Sequence, residues 1–107
     1  MNAAERRAVW WYRLRGYRIL ATNAWAGGHE VDVIVRRGRI VRFVEVKSKS
    51  GTRFGEAVEM VDAEKLCRVQ RAAGAWLAAH PECRSLRVSF DIVAVDRDRL
   101  RRIPDVV

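Results

Sequence analysis

The stretch FVEVKSK, residues 43–49, alternates apolar and polar side chains as a half-buried strand does, which sets Glu45 and Lys47 on one face. Just before it, HEVDV, residues 29–33, treats Glu30 and Asp32 in the same way. If Arg37 and Gly38 form a two-residue hairpin loop, Arg36 pairs with Arg39, Asp32 with Phe43 and Glu30 with Glu45. Glu30, Asp32, Glu45 and Lys47 then share one face, and Val31, Val33, Val35, Ile40, Val44 and Val46 form a core face that Arg42 interrupts. Asp32 and Glu45 would be diagonal neighbours with Cβ atoms roughly 7 Å apart, a gap that one cation can bridge. Carboxylates so close repel by about 1 kcal/mol in water and more when half buried, so positive charge should sit among them. Lys47 supplies one charge, and a hard divalent cation such as Mg²⁺ would supply two. The chemistry that uses a hard cation, carboxylates and a nearby amine is phosphodiester hydrolysis, in which negative charge builds on phosphoryl oxygens.

The same pattern also occurs on solvated sheet faces as cross-strand ion pairs worth a few tenths of a kcal/mol. Its setting argues for more. Residues 41–46 are hydrophobic enough for a central strand, where lone charges are costly.

Several elements must position these residues. Residues 3–15 read as a helix with Ala4, Ala8, Trp11 and Leu14 on its apolar face, ended by Gly16. Residues 17–22 read as a strand, and NAWAGG, residues 23–28, as a loop. The two hairpin strands follow. Gly51 and Gly55 mark a loop, and Asp62 is the expected cap of a second helix with Leu66, Val69, Ala73, Trp76 and Leu77 as its stripe, stopped by Pro81. Residues 85–95 form a last strand, and a charged tail begins at about residue 97. The order predicts a single α/β domain over residues 1–107, with helices covering a mixed sheet.

With 107 residues, half of them hydrophobic, the chain can bury a core without disulfides, and disorder is not expected. No apolar run approaches the ~18 residues of a membrane span. The first residues also lack the apolar centre of a secretory signal, which leads us to expect a cytoplasmic protein. Cys67 and Cys83 have no metal-site spacing and fit a reducing compartment. The net charge of +8 rests on 18 arginines and three lysines, at positions 47, 49 and 65. Arginine forks suit phosphate, which points to DNA as partner. A GC-rich coding bias would enrich arginine as well.

The chain resembles the UPF0102, or YraN-like, family from about residue 4 to residue 96. The resemblance rests on five segments in order: AERRAVWWYRLRGYRIL, HEVDVI, FVEVKSKS, RFGEAVEMVDAEK and SFDIVAV. That family looks like a branch of the PD-(D/E)XK nuclease superfamily, and the N-terminal half is similar to archaeal Holliday junction resolvases. The resemblance implies a restriction-endonuclease-like fold and a Mg²⁺- or Mn²⁺-dependent endonuclease acting on branched or single-stranded DNA. It implies Asp32 and Glu45 as metal ligands, Lys47 as the catalytic lysine, Glu5 as a first-helix acid with Arg6 beside it, and Glu30 in support. Arg6, Lys49 and the loop residue Trp25 are the candidate nucleic-acid contacts, while Trp11 and Trp76 are assigned to the core. Gln70 interrupts the second helix's stripe and reads as amphipathic packing; His29 stands where the family has Gly and reads as a solvent-facing loop residue. Gly27 and Gly28 serve a turn or a close approach to nucleic acid. Two other readings remain: a non-catalytic nucleic-acid-binding module on the same fold, and an interaction subunit, a homodimer through exposed strand or helix surface.

Overall fold

Valine and isoleucine at alternate positions build the strands, and their branched side chains fill both faces of one sheet. The computed structural model describes residues 1–48 and 63–106. In chain order these form helix α1 (Ala3–Arg13), strands β1 (Arg18–Ala26), β2 (His29–Arg37) and β3 (Ile40–Ser48), helix α2 (Ala63–Ala78), a 3₁₀ turn at Pro81–Cys83, and strands β4 (Arg87–Asp96) and β5 (Arg99–Ile103). The sheet runs β1-β2-β3-β4-β5, with β3 parallel to β4 and the other neighbours antiparallel. The result is an α/β fold on a five-stranded mixed sheet. The hydrophobic strand β3 is its centre.

Each helix covers one face. Ala4, Ala8, Val9 and Tyr12 of α1 pack on Val33, Val35, Val44, Val93 and Val95, whereas Ala72, Ala73 and Trp76 of α2 pack on Val31, Ile34, Val41 and Phe43. Trp76 meets Phe43 edge-on with ring centroids 5.8 Å apart. Among the described residues no helix is long and apolar enough to cross a membrane.

Four expectations need correction. The hairpin loop is Gly38-Arg39, because Arg37 pairs with Ile40 and Ile34 with Phe43. Gly38 supplies the left-handed conformation at φ 60°, which a tight two-residue turn requires. Residues 23–26 are strand, not loop; only Gly27 and Gly28 turn, both at positive φ. The close approach at Gly27 is to α2, where an added Cβ would lie 2.9 Å from the Arg71 carbonyl oxygen. The expected charged tail instead contains β5, an antiparallel partner of β4. Finally, α1 is rotated: Tyr12 is buried, and Leu14, expected on the apolar face, is 77% exposed. The cap expected at Asp62 and the loop glycines Gly51 and Gly55 lie outside the described residues.

Asp91 accounts for both the rotation of α1 and the arginine in the core face. It is 1% exposed on β4, and its carboxylate accepts from the Tyr12 hydroxyl (2.6 Å), Arg42 Nη1 (3.0 Å), Arg102 Nη1 (3.3 Å) and Ser89 Oγ (3.2 Å). Burial, reinforced by the adjacent Asp91 charge, raises the Tyr12 pKa, so the phenol stays a donor. Arg42 also donates to the Tyr17 hydroxyl at 3.1 Å. A buried carboxylate with several donors is stable only while the set is complete. Asp91→Ala, which strands Arg42, Arg102 and Tyr12, is expected to lower stability by about 3–5 kcal/mol in urea unfolding. Tyr12→Phe, which removes one donor, should lower it by about 1.5–3 kcal/mol. Equal losses for the two variants would contradict the network account.

Candidate functional site

The β2–β3 ladder stops at Val33 and Val44, although β2 starts at His29 and β3 continues to Ser48. Where it stops, the Asp32 carboxylate accepts the Val46 backbone N–H at 2.8 Å, taking over an amide of the central strand. Strand alternation also breaks here: Val33 packs in the cluster under α1 and Val31 in the cluster under α2, although they are two positions apart. Across β1, Asn23 has φ 48° and is skipped in the pairing between Thr22↔Val33 and Ala24↔Val31. Asparagine tolerates this left-handed conformation better than most residues. The two irregularities face each other.

The acids gather at that break. Oxygens of Glu5, Glu30 and Asp32 all lie within 4.8 Å of one another. The Asn23 side-chain amide joins two of them, donating to Glu5 Oε2 at 3.2 Å and to Glu30 Oε1 at 2.9 Å. Glu5 is 7% exposed. Its other oxygen accepts the Asn2 backbone N–H at 2.9 Å while Asn2 Oδ1 accepts the Glu5 N–H at 2.8 Å, a capping box that starts α1 and fixes this carboxylate.

Glu45 stands outside the triplet, with its carboxylate 3.2 Å from His29 Nε2. His29 is thus a strand residue engaged with a site acid, which corrects the expectation of a solvent-facing loop histidine. Glu45 is still near enough for its charge to act on Asp32. Burial foremost, then Glu45 and Glu5, push the Asp32 pKa from 3.8 up to about 7, against the opposing effect of the Val46 N–H. Burial and the neighbouring carboxylates thus both disfavour a charged Asp32.

Lys47 shares the face of Glu45, and Lys65 from α2 lies against it. Burial, then the neighbouring Lys47, lower the Lys65 pKa to about 8, while Glu45 and Asp32 oppose the shift. Lys65 is therefore the common neighbour of Asp32, Glu45 and Lys47. Sequence reasoning matched its segment but gave it no role. The signal was compositional: in a chain with 18 arginines, two of three lysines meet at the acids. Asn23 was missed because it was read as the start of a loop.

The candidate nucleic-acid contacts are spread more widely. Arg6 is exposed beside Glu5, with Nη1 donating to the Met1 carbonyl at 3.1 Å. Trp25 is 73% exposed on β1, opposite Glu30. Lys49 lies outside the described residues. Gln70 is exposed on α2. Trp76 is a core residue, and Trp11 is partly buried beneath the Arg15 guanidinium, 3.7 Å from its ring centroid.

Residues 4–95 match the profile of UPF0102, described as an uncharacterised protein family. The UPF0102 protein of Paramagnetospirillum magneticum is 45% identical over 109 residues, covering 97% of this chain and 83% of that one. The UPF0102 protein of Methylorubrum extorquens is 45% identical over 93 residues, 87% of this chain and 71% of its own. That of Frankia casuarinae is 44% identical over 82 residues, covering 77% and 69% respectively. With the profile match running from α1 into β4 and including all the acids of the site, this chain belongs to the UPF0102 family.

Proposed function

We propose that this protein is a Mg²⁺- or Mn²⁺-dependent phosphodiester hydrolase acting on DNA, with its sheet and helices arranged as in restriction-endonuclease-like enzymes. The observation that carries the reading is the convergence of Glu5, Glu30 and Asp32 within 4.8 Å, beside Glu45, Lys47 and Lys65, where β2 and β3 part. An all-carboxylate donor set suits a hard cation with oxygen ligands. Three carboxylates with oxygens within 4.8 Å of one another are a donor set of the kind such an ion takes, so the residues present fit it. Asp32, Glu5 and Glu30 would hold it, with Glu45 at the margin of the site. When bound, the cation supplies charge neutralisation at the phosphoryl group and lowers the pKa of water.

The chain's own residues do the rest. Asn23 holds Glu5 and Glu30 together against their repulsion, and the Val46 N–H fixes one Asp32 oxygen. His29 orients Glu45. Lys47 and Lys65 place compact positive charges next to the acids, where they meet the nonbridging oxygens of a scissile phosphate and stabilise the charge that builds there. A second reading, a nucleic-acid-binding module without turnover, draws on the net charge of +8. It expects binding that weakens with salt and survives loss of Asp32.

Incubation with branched, duplex and single-stranded DNA in Mg²⁺ or Mn²⁺ is expected to give cleavage that falls by about 100-fold or more in Asp32→Ala and Lys47→Ala. Cleavage undiminished in Asp32→Ala would belong to a contaminant. Salt-sensitive binding without cleavage would favour the module.

The Asp32 shift also has a signed consequence for folding. Because its folded pKa of about 7 exceeds the ordinary 3.8, the folded protein binds a proton more tightly than the unfolded chain. The metal-free protein should lose stability from this group as pH rises through that window, then level off. Asp32→Asn should remove that component, and Mg²⁺ should stabilise the wild type more at pH 8 than at pH 5. Urea midpoints across pH test this, and a wild type and Asp32→Asn that run parallel would refute it.

A further inference from the structure

The rotation of α1 leaves Trp10 outside, and the groove below it is built from both sides. Arg6, Val9, Trp10 and Arg13 line it at offsets of three, four and seven, hence from one face of the helix, and residues 19–22 of the edge strand β1 form the opposite wall. Its volume is about 380 Å³. Trp10 is 57% exposed, and the Arg13 guanidinium stands 5.4 Å from its ring centroid. Among the described residues that line the groove, none is acidic. Two of its lining residues, Arg6 and Thr22, are the chain neighbours of Glu5 and Asn23. Arg13 lies seven residues farther, about 10 Å along the helix.

We infer that this groove holds an unpaired nucleotide of the substrate strand, with its base on Trp10 and its phosphates at Arg6 and Arg13. This rests on the proposed action on DNA and narrows the substrate to strands with unpaired bases. An exposed indole offers a face on which any base stacks, whereas guanidinium forks bind phosphate oxygens in pairs. A cleft of this size admits a base and its sugar, but a paired base would bring its complement against the helix. The strand leaving the groove at Arg6 runs directly onto Glu5, Glu30 and Asp32. An aromatic anchor between two arginines thus sets the register of the phosphate presented there.

Fluorescence anisotropy with a short labelled oligothymidylate, an oligouridylate and a duplex, at low salt and without divalent cation, tests the inference on the full chain. The oligouridylate arm separates DNA from RNA as the source of base and phosphate. Trp10→Ala is expected to weaken oligothymidylate binding about tenfold, with Trp10→Phe recovering most of it. Arg13→Ala should reduce the salt slope by about one. Leu14→Ala, an exposed change outside the groove, should leave affinity unchanged. Unchanged affinity in Trp10→Ala would overturn the inference. So would an equal loss for duplex, or a dimer that becomes monomeric in Trp10→Ala while still binding the oligonucleotide as before. Trp10-dependent binding without cleavage in Mg²⁺ would sink the hydrolase reading and leave the groove standing; cleavage with Trp10-independent binding would do the reverse.

Discussion

The hydrogen bond from the Val46 amide to the Asp32 carboxylate, at 2.8 Å, stands where a sheet ladder would otherwise continue. A backbone N–H in a central strand needs a partner, and a side chain that provides one can end the pairing without leaving it unsatisfied. The strands part, and the carboxylate that ends the ladder is thereby held in a half-buried position. There its charge is unfavourable, because burial is joined by Glu45 and Glu5. Structural need and chemical capacity thus meet in one side chain. The bond that closes the fold at this point also fixes the direction of the acid.

Glu5 depends on a second constraint at the other end of α1. Tyr12 is seven residues from Glu5, nearly two helical turns, so the two lie on about the same face. By taking the Tyr12 hydroxyl, Asp91 sets the rotation of the helix and with it the heading of Glu5. The capping box with Asn2 then fixes Glu5 at the first turn. This rotation turns Leu14, expected on the apolar face, to solvent, where Trp10 is exposed as well. A buried ionic network on β4 therefore decides both which acid enters the site and which aromatic remains outside.

The elements that repeat a period were legible in the sequence. Both helices, the hairpin strands and the central place of β3 follow from spacing and burial. The hairpin register was offset by two, because Arg37 was placed in the loop instead of Arg39. An even offset leaves the side chains from Val33 onward on their expected faces. Hidden from a period-two reading was the break at Asp32, where Val31 and Val33 pack on opposite faces. It comes from tertiary contact and a left-handed Asn23, and neither leaves a periodic trace. The partner of Arg42 was equally hidden, since Asp91 lies 49 positions later on a parallel strand. Strand β5 was missed because its RLRRI reads as charge, while its backbone pairs with β4 regardless.

Charge is distributed in a way that makes the site selective for what it neutralises. The chain as a whole carries +8, yet Glu5, Glu30 and Asp32 cluster where β2 and β3 separate, with Glu45 nearby. A polyanion is drawn to the surface by the overall field and opposed at the pocket itself. That opposition disappears only if positive charge is present among the acids. Lys47 and Lys65 bring positive charge beside those acids, and burial, aided by Glu45 and Glu5, raises the proton affinity of Asp32. Arginine binds carboxylate elsewhere in the fold, as Arg42 and Arg102 do at Asp91, and its fork suits phosphate oxygens as well. Two of the three lysines thus meet the acids while arginines carry most of the remaining positive charge, so the basic field and the acidic pocket are built from different residues.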